Sequence, residues 1–199
     1  MLVTFEGIDG VGKTTQMELL KQIYPNAILT REPGGTEFGK ILRKILLNEN
    51  GEKNEIKSKN AEMFLFLADR AEHYEKVVKP NKNELILCDR GFISGISYAL
   101  ANDKNADFNE LVNLNKIALQ NDFGDKFIFF KIDEDDLISR LKERNMEFDR
   151  IEKRGILYLM QVQENMQMCL KALNLDFLTI NAVEKIDEIH EKIKEFIKW

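Results

Sequence analysis

Short apolar runs alternate along the chain with longer stretches in which apolar residues recur at helical spacing. The short runs predict five buried β-strands, whose sequences in chain order are LVTFE, AILT, ELILC, KFIFFKI and DFLTI. The longer stretches predict helices at 13–23, 36–47, 61–79, 91–121 and 134–173. Pro80 ends the third of these helices, and a polar break at 102–107 interrupts the fourth. A last helix is expected to start in the capping-box-like sequence from Asn181 to Glu184.

The predicted helix at 36–47 has a distinct apolar face, because its larger apolar residues recur at intervals of three and four. The residues on this face are Phe38, Ile41, Leu42, Ile45 and Leu46. By contrast, the segment 49–60 that follows is polar and predicts a turn or loop.

The alternation of strands and helices predicts an α/β fold. Strands that are separated by helices pair in parallel, and the crossover helices cover both faces of the sheet. We therefore predict three layers, with a five-stranded parallel sheet between two layers of helices. Ligands of such folds bind beyond the carboxyl ends of the strands. These ends are expected near Glu6, Thr30, Cys88, Ile132 and Ile180.

Composition restricts the classes of protein that fit. A chain of 199 residues with 44% hydrophobic and 32% charged residues is typical of one globular domain. Its formal net charge of −5 argues against a dedicated nucleic-acid binder. No apolar run approaches the ~20 residues that span a bilayer, and the chain enters its first strand without a signal segment. We expect a cytoplasmic protein with no membrane partner, and buried free thiols at Cys88 and Cys169.

The clearest motif follows the first predicted strand. Gly7, Gly12, Lys13 and Thr14 match the pattern G-x-x-x-x-G-K-[ST] between a strand and a helix. The glycines let the backbone curl so that successive N–H groups point at phosphate oxygens, and the helix adds its positive dipole end. The lysine reaches the β- and γ-phosphates, and the threonine hydroxyl ligates Mg²⁺. The motif therefore predicts a P-loop that binds a nucleoside triphosphate and Mg²⁺.

A GTPase switch is the first competing class. GTPases recognise guanine through an Asn-Lys-x-Asp sequence, and the Asn-Lys pairs at 81–82 and 115–116 both lack the aspartate. A kinase that moves a phosphoryl group between two anionic nucleotides needs several cations around one centre. Arginines at the strand ends therefore favour a kinase.

Four later segments carry candidate chemistry. TREPGGT at 30–36 by itself predicts a polar turn. Phe66 and Arg70 share a helical face, and their spacing alone favours a core phenylalanine with an arginine that reaches solvent. Asp89 and Arg90 follow a buried strand, where charges are costly unless they meet a ligand or each other. The arginine-rich segment 139–155 is either a solvated pair of charged helices or a mobile lid.

Together these motifs resemble the bacterial members of the thymidylate kinase family. The resemblance runs through the chain in order: FEGIDGVGKTTQ, TREPGGT, MFLFLADR, the Asp-Arg pair with its downstream serine and tyrosine, and a lid that ends in DRIE. It implies one P-loop kinase domain over 1–199 with a lid at about 139–155. It further implies transfer of the γ-phosphoryl group of ATP to thymidine 5′-monophosphate (dTMP) with Mg²⁺, in dTTP synthesis, and a homodimer.

The resemblance also implies residue roles. The ATP phosphates would be held by Gly7, Ile8, Asp9, Gly10, Val11, Gly12, Lys13, Thr14 and Thr15. Catalytic roles would fall to Lys13, Arg90, Asp9, Arg144 and Arg150. The acceptor nucleotide would be bound by Asp9, Arg43, Phe66, Arg70, Arg90, Ser94, Gly95 and Tyr98. Mg²⁺ would be held by Thr14 and, through water, by Asp89, unless Asp89 instead orients Arg90.

Within the acceptor site, Phe66 would stack on thymine, Arg70 would donate to O4, and Tyr98 would exclude a 2′-hydroxyl group. Asp9 has two interpretations: a turn residue that bonds to its own backbone, or the family's acid that accepts from the 3′-hydroxyl of the monophosphate. The chain departs from the family at Ala99, where a glutamine near the base is common. A kinase for another nucleoside monophosphate, or a deoxynucleoside kinase, therefore stays as an alternative. A non-kinase ATP- or GTP-binding regulator is a second alternative, of a different class.

Overall fold

The computed structural model describes residues 1–47, 56–143 and 155–199. Five strands and eight α-helices alternate in this part of the chain: β1 Leu2–Glu6, α1 Lys13–Ile23, β2 Ile28–Arg31, α2 Glu37–Leu47, α3 Lys59–His73, β3 Ile86–Asp89, α4 Phe92–Asn102, α5 Phe108–Ala118, β4 Lys126–Lys131, α6 Glu134–Glu143, α7 Ile156–Ala172, β5 Phe177–Asn181 and α8 Ile186–Ile197. Within the described ranges, no helix is both long and apolar enough to cross a bilayer.

The five strands form one parallel sheet in the order β2-β3-β1-β4-β5, which confirms the predicted α/β fold. The central strand β1 lies between β3 and β4, with Val3 opposite Leu87 on one side and Lys126 on the other. The chain places strands on both sides of β1, so the loops that follow β1, β3 and β4 run in different directions. A crevice forms between such loops at the carboxyl ends of the strands. This topology positions the site.

The core lies on both faces of the sheet. Side chains of β1, β3 and β4 such as Phe5, Leu87 and Phe129 are fully buried, and each contributes about 1.5–3 kcal/mol of hydrophobic stabilisation. Both cysteines are buried free thiols, as predicted. The sheet is therefore a rigid base for the loops at its edge.

Helix α3 begins two residues before its predicted start, because the Ser58 hydroxyl caps it by accepting from the Ala61 N–H at 3.3 Å. After His73 the chain continues as a π-helical turn, Tyr74–Val78, and a 3₁₀ turn, Lys79–Asn81. Pro80 has no N–H to continue an α-helix, so the prediction that it ends this helical stretch is confirmed within one residue.

The predicted capping box at the last helix is wrong. Asn181 ends β5, and its side-chain oxygen accepts from the Val183 N–H at 3.2 Å. Helix α8 starts only at Ile186, with Lys185 at the N-cap. An asparagine bonds two residues ahead in a turn as readily as it caps a helix, so the sequence pattern fitted both structures.

Most of the predicted lid lies outside the described residues. Segment 134–173 forms α6 and α7, and the part between them includes the predicted catalytic residues Arg144 and Arg150. Most of the polar segment 49–60 also lies outside the described ranges.

Candidate active site

The P-loop connects β1 to α1, which confirms the predicted strand–loop–helix context. Gly7 has a φ of 146° and lies against β4, where a Cβ atom would be 2.9 Å from the Phe130 carbonyl oxygen. Gly12 has a φ of 94° at the N-cap of α1. Both positions need glycine, since one has no room for a side chain and both have a positive φ.

Lys13, the first residue of α1, is buried within the loop. Its ammonium group donates to the carbonyl oxygens of Gly7 at 3.1 Å and Ile8 at 2.9 Å, and lies 4.0 Å from the Asp89 carboxylate. Burial and, to a smaller extent, the nearby Arg90 charge lower the pKa of Lys13 to about 8, although Asp9, Asp89 and Glu6 act in the opposite direction. The lysine is thus a cation that a phosphate would stabilise strongly.

Arg90 joins β3 to the P-loop. Its backbone has a φ of 66°, an unfavourable value for a residue with a side chain, and its N–H donates to the Phe5 carbonyl at 2.9 Å. The guanidinium group pairs with Asp9 at 2.8 Å and donates to the Gly7 carbonyl at 2.8 Å and the Ser94 hydroxyl at 3.2 Å. Asp9 therefore has an ion-pair partner across the loop. The loop and the strand end share one charged cluster.

A cavity of about 260 Å³ opens beside this cluster, between α3, α4 and α5. Six of the eight residues predicted for the acceptor site line it: Phe66, Arg70, Arg90, Ser94, Gly95 and Tyr98. Arg43 does not line it, but its guanidinium donates at 3.1 Å to the carbonyl of Pro33, which does. Asp9 does not line this cavity; it lines a second cavity on the other side of the P-loop and pairs with Arg90, which lines the first.

Spacing alone predicted that the Arg70 side chain reaches solvent. This prediction is wrong, since Arg70 is only 3% exposed. Its Nε donates to Glu32 at 2.7 Å, Nη1 to the Asn115 side chain at 2.7 Å, and Nη2 to the Gly91 carbonyl at 3.1 Å. The polar turn predicted for TREPGGT is likewise more than a turn, because its glutamate is a buried partner of this arginine.

Sequence reasoning placed Glu6 at the carboxyl end of the first strand but gave it no role in the site. It is fully buried at the end of β1, accepts from the Ser94 N–H at 3.3 Å, and accepts a short hydrogen bond from the Ser94 hydroxyl. Burial raises the pKa of Glu6, and the hydrogen bonds of Ser94 and the charge of Arg90 only partly offset this effect. The available signal was a carboxylate at the end of a strand that is mostly apolar.

A second cavity, of about 400 Å³, lies on the other side of the P-loop, against α6 and the loop after β5. Arg140 lines it and donates to the Gly10 carbonyl at 3.0 Å and the Ala182 carbonyl at 2.5 Å. Sequence reasoning counted Arg140 among the lid arginines without giving it a role. Its contacts tie α6 to the P-loop and to the loop after β5.

The residues present fit a Mg²⁺ ion held through water. One oxygen of Asp89 is buried and makes no hydrogen bond in the described structure, and carboxylate oxygens are preferred partners of Mg²⁺ and its water ligands. Thr14 is exposed in the first turn of α1. In the described ranges no group of three or more His, Cys, Asp or Glu side chains forms a metal cage, and Mg²⁺ that binds with a nucleotide needs none.

Comparison with known proteins identifies the family. The model of the thymidylate kinase family matches residues 5–193. Proteins named thymidylate kinase from Campylobacter hominis and Campylobacter fetus are 57% and 54% identical to this chain, over 100% and 99% of it and 100% of their own lengths. The crystal structure of thymidylate kinase from Ehrlichia chaffeensis superposes with a TM-score of 0.73 and 26% identity, over 100% of this chain and 98% of that one. The chain therefore belongs to the thymidylate kinase family.

Proposed function

We infer that this protein is an enzyme that transfers the γ-phosphoryl group of ATP to dTMP and so forms ADP and dTDP, in the synthesis of dTTP. The observation that carries the proposal is the cluster of Lys13, Arg90 and Asp9, which lies between two cavities at the carboxyl end of β1. Family membership supports the same reaction. Two nucleotides on opposite sides of one cationic centre are what this reaction requires.

The donor side is the P-loop with the larger cavity. Backbone N–H groups of residues 7–15 bind the ATP phosphates. The Lys13 ammonium group then donates to phosphate oxygens in place of the Gly7 and Ile8 carbonyl oxygens. Thr14 and, through water, Asp89 would hold Mg²⁺, which when bound neutralises charge on the β- and γ-phosphates. Arg140 closes the side of the cavity next to α6.

The acceptor side is the cavity between α3, α4 and α5. Phe66 stacks on the base, Arg70 donates to its carbonyl oxygen, and Tyr98 occupies the space of a 2′-hydroxyl group. Arg43 binds the 5′-phosphate from beside Pro33. Ser94 and Gly95 form the wall along α4.

Catalysis is alignment and charge stabilisation, because a phosphate oxygen of the acceptor is itself the nucleophile. Arg90 lies between the two sites and stabilises the charge that develops on the transferred group. Asp9 orients Arg90 through their ion pair and accepts from the acceptor's 3′-hydroxyl group. Arg144 and Arg150, in the proposed lid, add charge from the donor side.

A coupled ADP-release assay with dTMP, dUMP, dCMP, dGMP and dAMP tests the proposal. We expect turnover with dTMP at a kcat/KM far above that of the other monophosphates. Equal turnover of several of them favours the less specific kinase, and ATP binding without turnover of any favours the regulator. The acceptor cavity beside Arg90 argues for a kinase.

We also propose a cytoplasmic homodimer whose interface includes the apolar face of α2. Only Leu42 and Leu46 of that face are buried, whereas Phe38, Ile41 and Ile45 are 46%, 59% and 46% exposed. Phe64 on the neighbouring helix α3 is also exposed. Apolar side chains grouped in this way favour contact with another protein surface.

A further inference from the structure

The guanidinium group of Arg70 is held in place through all three of its nitrogen atoms. Arginine has five N–H donors, and each of the three nitrogens of Arg70 gives one to a protein acceptor: Glu32, the Asn115 side chain and the Gly91 carbonyl. One N–H on Nη1 and one on Nη2 remain, at the end of the side chain that lines the acceptor cavity. We call the three acceptors the Arg70 clamp.

The side chain of Asn115 can accept from Arg70 in one orientation only. It is buried on α5, and its amide NH₂ donates to the Leu111 carbonyl at 2.8 Å. Because a carbonyl accepts only from the NH₂ end, the side-chain oxygen of Asn115 has to face Arg70, which lies at 2.7 Å. The asparagine therefore fixes the rotation of the guanidinium plane about its long axis.

Glu32 supplies the countercharge and is itself held. Its other oxygen accepts from the His73 ring at 2.9 Å, and the second ring nitrogen of His73 lies 2.7 Å from the Thr30 hydroxyl. Burial by itself would raise the pKa of Glu32, but the Arg70 charge and the His73 hydrogen bond outweigh burial, so the pKa lies below its usual value. Charge on the clamp is thus neutralised without help from a ligand.

Close packing leaves the guanidinium group little freedom to turn. A Cβ atom on Gly95 would lie 3.0 Å from Nη1 and 3.1 Å from Nη2 of Arg70. Helix α4 therefore lies close against the group, and a larger residue at position 95 would have to displace the guanidinium by a few tenths of an ångström. The two remaining N–H groups of Arg70 are therefore held in one orientation.

We propose that Asn115 is a positioning residue for base selectivity: it holds Arg70 so that its two remaining donors meet a carbonyl oxygen on the nucleobase. The proposal rests on the acceptor site described under the proposed function. A base with an amine at that position presents donors to donors and leaves both sides unpaired in a buried site, which is a strong basis for rejection. Selectivity for a keto base would then come from α5, a helix that supplies no atom to the reaction.

The test compares Asn115→Ala with Asn113→Ala, a matched change at an exposed position of the same helix. The substrates are dTMP and 5-methyl-dCMP, which have the same shape but carry oxygen and an amine at the same ring position. We expect Asn115→Ala to raise the KM for dTMP about 10-fold, the effect of one lost buried hydrogen bond. The kcat, the KM for ATP and the kcat/KM for 5-methyl-dCMP should stay within about two-fold of the native values.

Asn113→Ala should leave all of these constants unchanged. An equal loss for both substrates in Asn115→Ala overturns the proposal, because it indicates a general packing role. An unchanged preference for dTMP overturns it as well. Asn115→Asp is a second variant, in case Asn115→Ala does not fold, because aspartate keeps the acceptor oxygen. It should retain the preference for dTMP. Loss of that preference contradicts the proposal.

Failure of the proposed function is distinguishable from failure of this inference. If the native enzyme turns over neither substrate, calorimetric titration of dTMP and 5-methyl-dCMP still measures the selectivity of the cavity. A cavity that prefers dTMP and loses the preference in Asn115→Ala supports the clamp whatever the reaction. A native cavity that binds both equally overturns it.

Discussion

Lys13 lies inside the phosphate loop, where its ammonium group donates to the Gly7 and Ile8 carbonyls and stands 4.0 Å from Asp89. Arg90 reaches the same loop from β3 and pairs with Asp9. At this scale the site is a set of cations that protein oxygens hold in place before any nucleotide binds. Such preorganised charge is the main source of catalysis in phosphoryl transfer.

Lys13→Ala and Arg90→Ala should each lower kcat by on the order of 10² or more. Each change removes a positive charge that stabilises the phosphoryl group during transfer. Steady-state kinetics with saturating ATP and dTMP measures the effect. Lys21→Ala is the control, because Lys21 lies in the last turn of the same helix, away from the loop, and donates to the Pro25 and Ala27 carbonyls. A near-native kcat in either variant contradicts the assigned role.

ATP binding should become dependent on pH above about 8. Burial and the neighbouring Arg90 charge lower the pKa of Lys13 to about 8 in the free protein, so at higher pH the loop holds an increasingly neutral amine. ATP favours the charged form, and binding near pH 9 should therefore take up close to one proton and weaken as the pH rises. Calorimetry of MgATP binding in two buffers of different ionisation enthalpy measures this uptake.

Lys13→Arg is the matched variant for that experiment, since arginine stays charged throughout this range. It should bind MgATP without proton uptake near pH 9. The same uptake in both proteins would show that another group titrates.

At the scale of elements, buried polar side chains connect the helices to the strand ends. Glu6 links β1 to the first turn of α4 through Ser94. Asp69 links α3 to the turn before α2, because its Oδ1 accepts from the Gly34 N–H at 2.9 Å. Its other oxygen is buried without a hydrogen-bond partner in the described structure. The walls of both sites therefore depend on groups that bind no nucleotide.

Asp69→Asn should change how stability depends on pH. Burial and the Glu32 charge raise the pKa of Asp69 from 3.8 to about 6. A carboxyl group whose pKa is raised on folding stabilises the folded state below its unfolded pKa, and that stabilisation is lost as the pH rises through the folded value. The free energy of unfolding of the native protein, relative to Asp69→Asn, should fall by about 1–3 kcal/mol between pH 4 and pH 7.

Urea denaturation of both proteins at several pH values measures this difference. Glu62→Gln is the control, because Glu62 lies on the same helix but further from the core. A pH-independent difference between the native protein and Asp69→Asn contradicts the raised pKa.

On the scale of the whole molecule, two cavities lie at the carboxyl edge of the sheet, and α2 exposes three apolar side chains, which we propose belong to a dimer interface. Ile41→Glu places a charge in the centre of the exposed apolar stripe and should convert the proposed dimer to a monomer at micromolar concentration. Lys40→Glu introduces the same side chain on a different face of α2 and should remain dimeric. Analytical ultracentrifugation of the three proteins decides this, and a native protein that is monomeric at 100-fold higher concentration contradicts the proposal.

The sequence by itself determined what depends on neighbours along the chain. Strands and most helix limits follow from apolar spacing, and the P-loop follows from glycines within a few residues of Lys13. Asp89 and Arg90 were placed at the site for the same local reason, since charges directly after a buried strand lie at the sheet edge.

Only the tertiary structure decided which polar groups are buried together. Arg70 meets Asn115 across 45 positions, Glu6 meets Ser94 across 88, and Arg140 meets Gly10 across 130. Helical spacing shows that Arg70 and Phe66 share a face, but not that α4 and α5 cover it. Burial is a property of the packed elements, and it alone makes an unpaired charge costly enough to require a particular partner. The identity of Arg70's partners, and with it the selectivity proposed for Asn115, therefore came from the fold.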